Sequence, residues 1–324
     1  MRVLLLAVCA CAQPALQGEA LYAHITQAIV SERGEFWAVD SSETRYNSLG
    51  ELYAAKPSAA EAQAAALRFY GGRNATLLGV TGLDEEGGAP DLAHTRSLVA
   101  RVLQGSGSAP AAVRCLNVGA GIGREAVGGL VPAGCATVDV MEPDPRYLAA
   151  ALAAMPAAAL GRAIATPAQA HDFAAAGETY DVVFLGWCSQ HIPDEHLIAF
   201  LRGAVAHLKR GGVLIIKDNV SDFADAVFND ADLFVIRSAA YFRALVQLAS
   251  PGLARLAVEG VPEWHRRAMF PYRAFVWARE GEWSEGRLAE FNAAAEGFYA
   301  AAEAAAAAAA DSEGPEGSAQ SKEL

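Results

Sequence analysis

Between residues 113 and 278 the chain alternates short apolar runs with stretches of helical periodicity. Residues 113–118, 136–141, 180–185 (YDVVFL), 213–216 and 273–278 (RAFVWA) read as strands, being short, apolar and rich in β-branched and aromatic residues. Residues 145–155, 194–208 and 241–248 read as helices; in the second, Leu197, Phe200, Leu201 and Val205 fall at helical spacing. Gly211-Gly212 is the expected stop of that second helix. Strands alternating with helices predict an α/β fold, a mostly parallel sheet with helices on both faces.

The flanks read differently. Residues 59–70 (AAEAQAAALRFY) predict a helix stopped by Gly71-Gly72, residues 85–90 (EEGGAP) a loop, and residues 94–103 an amphipathic helix. From residue 281 the composition shifts: 284–310 predicts a helix with Ser284 as N-cap, ending in an alanine run, and 311–324 predicts disorder. Residues 1–20 (MRVLLLAVCACAQPALQGEA) have the layout of a secretory leader, or of a short apolar first element. The expected organisation is a leader at 1–20, a helical cap at 21–94, the main domain at 95–280 and an alanine-rich tail at 281–324.

Charge and cysteines narrow the choices. A formal net charge of -12 argues against a nucleic-acid-coating surface. No apolar segment is long enough to span a membrane, so no stable membrane association is expected. Among five cysteines none forms a CxxC pair, and no metal-ligand cluster is expected. Cys115, Cys135 and Cys188 read as small apolar core residues, not a disulfide framework. The side chain of Lys217 is expected in solvent.

Residues 116–124 (LNVGAGIGR) carry the chemistry. A strand entering Gly119, Ala120, Gly121 and Gly123 allows a tight turn with backbone N–H groups aimed at a ligand. The next strand ends at Glu142, whose carboxylate suits both hydroxyls of a ribose. Either NAD or S-adenosylmethionine fits so far. Arg124 stands where a dinucleotide site wants a third spaced glycine, and it suits the carboxylate of S-adenosylmethionine instead.

GAGIGR, YDVVFLGWCSQHIPDEHLIAFLR, GGVLIIKDNV and NDAD together resemble the protein α-N-terminal (Xaa-Pro-Lys) methyltransferases, from about residue 95 to 279. The resemblance implies a Rossmann-like class I methyltransferase with a seven-stranded sheet, an N-terminal helical cap and S-adenosylmethionine as donor. It implies transfer to the free amine of N-terminal peptides, by a monomer of the cytosol and nucleus. Carried over by position, Gly119, Ala120, Gly121, Arg124 and Glu142 match donor-binding positions, and Ala170 and His171 the segment beside the adenine. Trp187 and Asn219 match positions that hold the peptide's amine end, and His191, Asn219 and Asp232 positions that activate it. A proton acceptor is needed because a free α-amine, with a pKa of about 7.7–8.0, is largely protonated at neutral pH. His191 or Asp232 is expected to fill that role, and Trp187 to wall the amine or proline. Asp222, Asp225 and Asp230 are acidic neighbours of Asp232, and acidic residues near the pocket are expected to receive the lysine.

Several positions depart from the family pattern. Asn117 replaces an aspartate, Gly186 a glutamine, and Phe234 a serine. Phe69-Tyr70 and residues 77–82 match the lid only loosely. These departures keep two alternatives open: a small-molecule amine or hydroxyl as acceptor, and a non-catalytic donor-binding protein.

Overall fold

The computed structural model describes residues 16–104, 106, 108–261 and 270–312. Residues 1–15 of the leader reading and 313–324 of the tail reading fall outside these residues.

The first part of the chain is α1 (Gly18–Arg33), β1 (Ala38–Asp40), β2 (Arg45–Tyr46), α2 (Leu49–Ala54), α3 (Ala59–Gly71), α4 (Leu77–Thr81) and α5 (Glu85–Leu103). Side chains at the N-termini of four consecutive helices, Ser48, Ser58, Thr76 and Asp84, each accept a backbone N–H. The fourth overturns the loop expected at 85–90. Asp84 caps the helix and Glu85 and Glu86 suit its first turn, which outweighs the two glycines and Pro90.

The sheet follows: β3 (Arg114–Val118), β4 (Thr137–Met141), α6 (Pro145–Ala154), β5 (Leu160–Ile164), α7 (Phe173–Ala176), β6 (Tyr180–Gly186), α8 (Asp194–Ala206) and β7 (Leu208–Asn219). Gly211-Gly212 lies inside β7 and is not the stop of α8, which ends at Ala206. The chain continues as β8 (Ala226–Asn229), β9 (Phe234–Arg237), α9 (Ala239–Ala249), β10 (Leu253–Gly260), β11 (Tyr272–Arg279) and α10 (Glu285–Ser312). Ser284 accepts the N–H of Arg287 at the start of α10, as its expected capping role requires.

Seven strands form one sheet in the order β10-β11-β7-β6-β3-β4-β5. The β3, β4, β5, β6 and β7 pairings are parallel, and β11 and β10 are antiparallel. Alternate residues of β6 enter opposite cores: Val183 and Leu185 meet α1, α8 and α9, while Val182 and Phe184 face the side of α5 and α6. A second sheet, β2-β1-β8-β9, was not expected from the sequence. Its strands are two to four residues long, too short to show a period.

Cys115 and Cys135 are bonded to each other, with Cα atoms 5.9 Å apart. The expectation of free core thiols is therefore corrected for this pair. Burial is as expected, but β3 and the segment after the glycine turn come within bridging distance.

Candidate active site

The chain order reverses between β3 and β6, and ligands of open α/β sheets bind outside the strand ends at such a point. The main cavity lies there, walled by Gly119, Gly121, Glu142, Trp187 and His191. Its cover comes from the helical cap: Leu67 and Tyr70 of α3 and Val80 of α4 face it. A Cβ on Gly119 would lie 2.5 Å from that of Cys188, and one on Gly121 3.2 Å from Val80. Both glycines also have left-handed backbone, φ +60° and +55°, so no side chain belongs at either place.

Glu142 leaves β4 directly beneath this turn. Its carboxylate accepts the N–H of Gly121 at 2.8 Å and that of Asp144 at 2.9 Å. Burial pushes its pKa up, and the two N–H groups oppose that. Ala120 also lines the cavity. On the adjoining wall stand Thr166, Pro167 and Ala168, and the buried Thr166 hydroxyl has no hydrogen-bond partner among the described residues. Ala170 and His171 do not line the cavity. The 3-10 turn Ala168–Ala170 carries the His171 ring to 4.5 Å from Phe173.

Arg124 forms part of the wall, yet its guanidinium is committed to protein partners. It donates to Asp91 at 2.6 Å, Glu125 at 2.6 Å and the Gly88 carbonyl at 2.7 Å. Its Nε has no partner among the described residues. Lys217 is fully buried, which corrects its expected solvent position. Its ammonium pairs with the Asp91 carboxylate and donates to the Asp91 carbonyl at 2.8 Å and Thr95 at 2.7 Å. Asp91 on α5 thus ties the end of the sheet to the glycine turn, and the cations hold its carboxyl below the usual range despite burial. Burial, and then Asp91, push Glu125 up to about 7.

The same Asp91 accepts the indole N–H of Trp187 at 3.2 Å. Trp187 has φ +61°, a conformation costly for a bulky residue. It is held by the Lys217 carbonyl, which accepts its N–H at 3.0 Å, and by the Tyr272 ring at 4.7 Å. Gly186, just before it, has no room for a side chain, since a Cβ would meet Phe184 at 2.7 Å.

His191 follows on a 3-10 turn, Ser189–His191. The turn is gripped from both ends. Asp218 accepts from the Ser189 hydroxyl at 2.6 Å and the Gln190 N–H at 3.2 Å. Arg237 donates to the carbonyls of Ser189 and Ile192 at 2.8 and 2.9 Å. Asp194 in turn anchors Arg237 through two hydrogen bonds, at 2.9 and 2.7 Å. The imidazole Nε2 lies 3.0 Å from the Tyr70 hydroxyl, and the ring sits 5.2 Å from both Tyr70 and Phe234. Burial, then Arg237, push its pKa down to about 4. That makes His191 a neutral hydrogen-bonding group near pH 7 and a poor proton acceptor.

Asn219 and Asp232 are not part of the main cavity wall. Asn219 ends β7 opposite Tyr272, and Asp232 lies in the β8–β9 turn with its N–H on the Asn229 side chain. Asp91, Lys217, Asp218 and Arg237 were missed by sequence reasoning as parts of the site. Their pairing spans 29 to 126 residues along the chain, and no local spacing signals it.

The profile of a family described as AdoMet dependent proline di-methyltransferase matches residues 59–276. A Xenopus laevis N-terminal Xaa-Pro-Lys N-methyltransferase 1-A is 31% identical over 194 residues, spanning 58% of this chain and 81% of that protein. The human N-terminal Xaa-Pro-Lys N-methyltransferase 1 is 34% identical over 88 residues, 27% of this chain and 38% of that one. Among solved structures, a SAM-dependent methyltransferase from Leishmania major superposes with a TM-score of 0.65 at 23% identity, over 75% of this chain and 96% of that one, which speaks to the fold. The glycine turn, the buried Glu142 beneath it and a profile match across two thirds of the chain converge: this protein belongs to the AdoMet-dependent proline di-methyltransferase family and is an S-adenosylmethionine-dependent methyltransferase.

Proposed function

We propose that the acceptor is the α-amine of protein N-termini of the Xaa-Pro-Lys type. The observation that carries this reading is His191, a half-buried neutral imidazole that walls the cavity beside Trp187 and Tyr70. When bound, S-adenosylmethionine supplies an electrophilic methyl group. The residues then have to present a neutral nitrogen to it. At pH 7 about 10% of free α-amines are neutral, against less than about 0.1% of lysine side chains, given pKa values of about 7.8 and 10.4. A site whose histidine is a weak base therefore favours the α-amine.

Each residue takes a role on this reading. Glu142 and the N–H groups of the glycine turn hold the donor, with Arg124 and Thr166 as further contacts. With its proton on Nε2 and donated to Tyr70, His191 offers Nδ1 as an acceptor for an amine N–H. That Nδ1 has no protein partner among the described residues. Trp187 gives an aromatic wall to the amine or the proline. Asn219 fixes the terminal amine and Asp232 takes up the proton. The names of the Xenopus and human relatives support the substrate class. Asn219→Ala and Asp232→Ala are expected to lower kcat/KM at least about tenfold with donor binding retained. Full activity in both variants would remove those two residues from the site.

A further inference from the structure

The acidic segment that runs up to and through the β8–β9 turn, whose flanking residues Phe228, Leu233 and Val235 border a cavity with His191, is already neutralised from within. Asp222 is paired with Arg273 at 2.8 Å, Asp225 with Arg33 at 2.6 Å and Asp230 with Lys56 at 2.7 Å. Among the described residues only Asp232 in this segment has no ion-pair partner. Lys56 is the telling member. Its side chain is 7% exposed, also binds Asp40 at 2.6 Å, and sits over the rings of Tyr46 and Phe228 at 5.5 and 5.3 Å. A lysine of the chain itself occupies the charge that a substrate lysine would seek.

The neighbouring surface is apolar. A second cavity, bordered by Phe228, Leu233 and Val235 and by Tyr22 and Tyr53, shares His191, Ile192 and Pro193 with the donor cavity. Phe234 adds a ring 5.2 Å from His191. A peptide whose amine lies at His191 therefore meets aromatic and aliphatic side chains next, with its carboxylates mostly spent.

We infer that this enzyme reads the residue after the acceptor's proline as an uncharged, apolar-tolerant side chain and does not require lysine there. Lys56 is the specificity-determining residue that removes the requirement. This rests on the α-amine reading above and relaxes its third position, so that lysine is accepted there but not needed.

The test uses the full chain, labelled S-adenosylmethionine and three peptides identical except at the third residue: Ser-Pro-Lys, Ser-Pro-Gln and Ser-Pro-Leu. The expected kcat/KM values for the glutamine and leucine peptides lie within about threefold of the lysine peptide, or above it. A lysine preference beyond about thirtyfold, the size a desolvated charge pair confers, overturns the inference and leaves the α-amine reading standing. Label on none of the three removes the α-amine reading and the inference with it. Lys56→Met frees Asp230 and should raise the lysine-to-leucine ratio about fivefold or more. Because Asp40 would lose its partner, the double variant Lys56→Met/Asp40→Asn is measured alongside. An unchanged ratio in a variant with native circular dichroism and donor affinity contradicts the role of Lys56. If neither variant folds, the peptide panel on the unaltered chain decides.

Discussion

The hydroxyl of Tyr70, on a cap helix, lies 3.0 Å from Nε2 of His191, on the turn that follows the central strand β6. This contact, with the Tyr147 and Arg146 side chains that donate to the Tyr70 carbonyl, holds the cap over the cavity, and it helps fix the imidazole between two rings. Tyr70→Phe keeps the ring and removes the hydrogen bond, worth about 1 kcal/mol net. The expected result is a fall of roughly fivefold in kcat/KM, with donor Kd within about twofold of the parent, by methylation kinetics and calorimetry.

Glu142 braces the glycine turn and, on the proposed reading, also receives the ribose of the donor. Glu142→Ala leaves the N–H groups of Gly121 and Asp144 without their carboxylate. On the proposed reading the variant also loses the ribose hydroxyls' hydrogen bonds to this carboxylate; bonds to a charged acceptor are worth about 1.5–3 kcal/mol, so donor Kd should weaken by roughly 10–100-fold. Calorimetric titration of each protein with S-adenosylmethionine reads this directly, and a change under twofold would displace Glu142 from the donor site.

Lys217 and Asp91 carry structure and site together. Lys217→Met strands a buried carboxylate, at an expected cost of about 3–5 kcal/mol in urea denaturation at pH 7. The folded fraction should also turn over more slowly, since Asp91 holds the Trp187 indole. A loss below about 1 kcal/mol would mean that Arg124 alone satisfies Asp91.

Acid should weaken the fold through two histidines. Burial pushes both His94 and His191 down to about 4, helped by Lys217 and Arg237 respectively. The unfolded chain takes up those protons near pH 6.5, so stability falls as pH drops from about 6.5 toward 4. Each contributes up to about 1.4 kcal/mol per pH unit. Glu125, raised to about 7, acts in the opposite sense and loses stability as pH rises from about 4.5 to 7. Glu142 and Asp218, also pushed up by burial, act in the sense of Glu125, so the test isolates a single histidine. His94→Gln should flatten the slope of unfolding free energy between pH 6.5 and 5 by about one proton. An identical slope in both proteins would show that His94 is not held neutral.

The Cys115–Cys135 bond encloses the whole glycine turn within a loop of sequence separation 20. Replacing both cysteines by alanine should cost about 2–4 kcal/mol of stability, measured by denaturation without reductant. Equal stability, with free thiols at both positions by alkylation and mass spectrometry, would refute the bond.

Much of this was legible in the residues themselves. YDVVFL announces a strand buried on both faces, as β6 is. GAGIGR and Glu142 announce the donor turn because that chemistry is local to one strand, one turn and the next strand end. The rest was hidden for physical reasons. EEGGAP looks like a loop until Asp84 is seen to cap it. Lys217 looks like a surface cation until Asp91, 126 residues away, supplies its counter-charge. The β8–β9 turn gives no sign that Lys56 fills it, and His191 gives none that Tyr70 reaches across from the cap.

The central claim is methyl transfer to an α-amine. Two peptides beginning Ser-Pro-Lys, one free and one N-terminally acetylated, would be incubated with the protein and labelled S-adenosylmethionine. Label on the free peptide alone is the predicted result, with the methyl groups placed on the N-terminal nitrogen by fragmentation mass spectrometry. Equal label on both, or label on neither while calorimetry shows the donor bound, would contradict it.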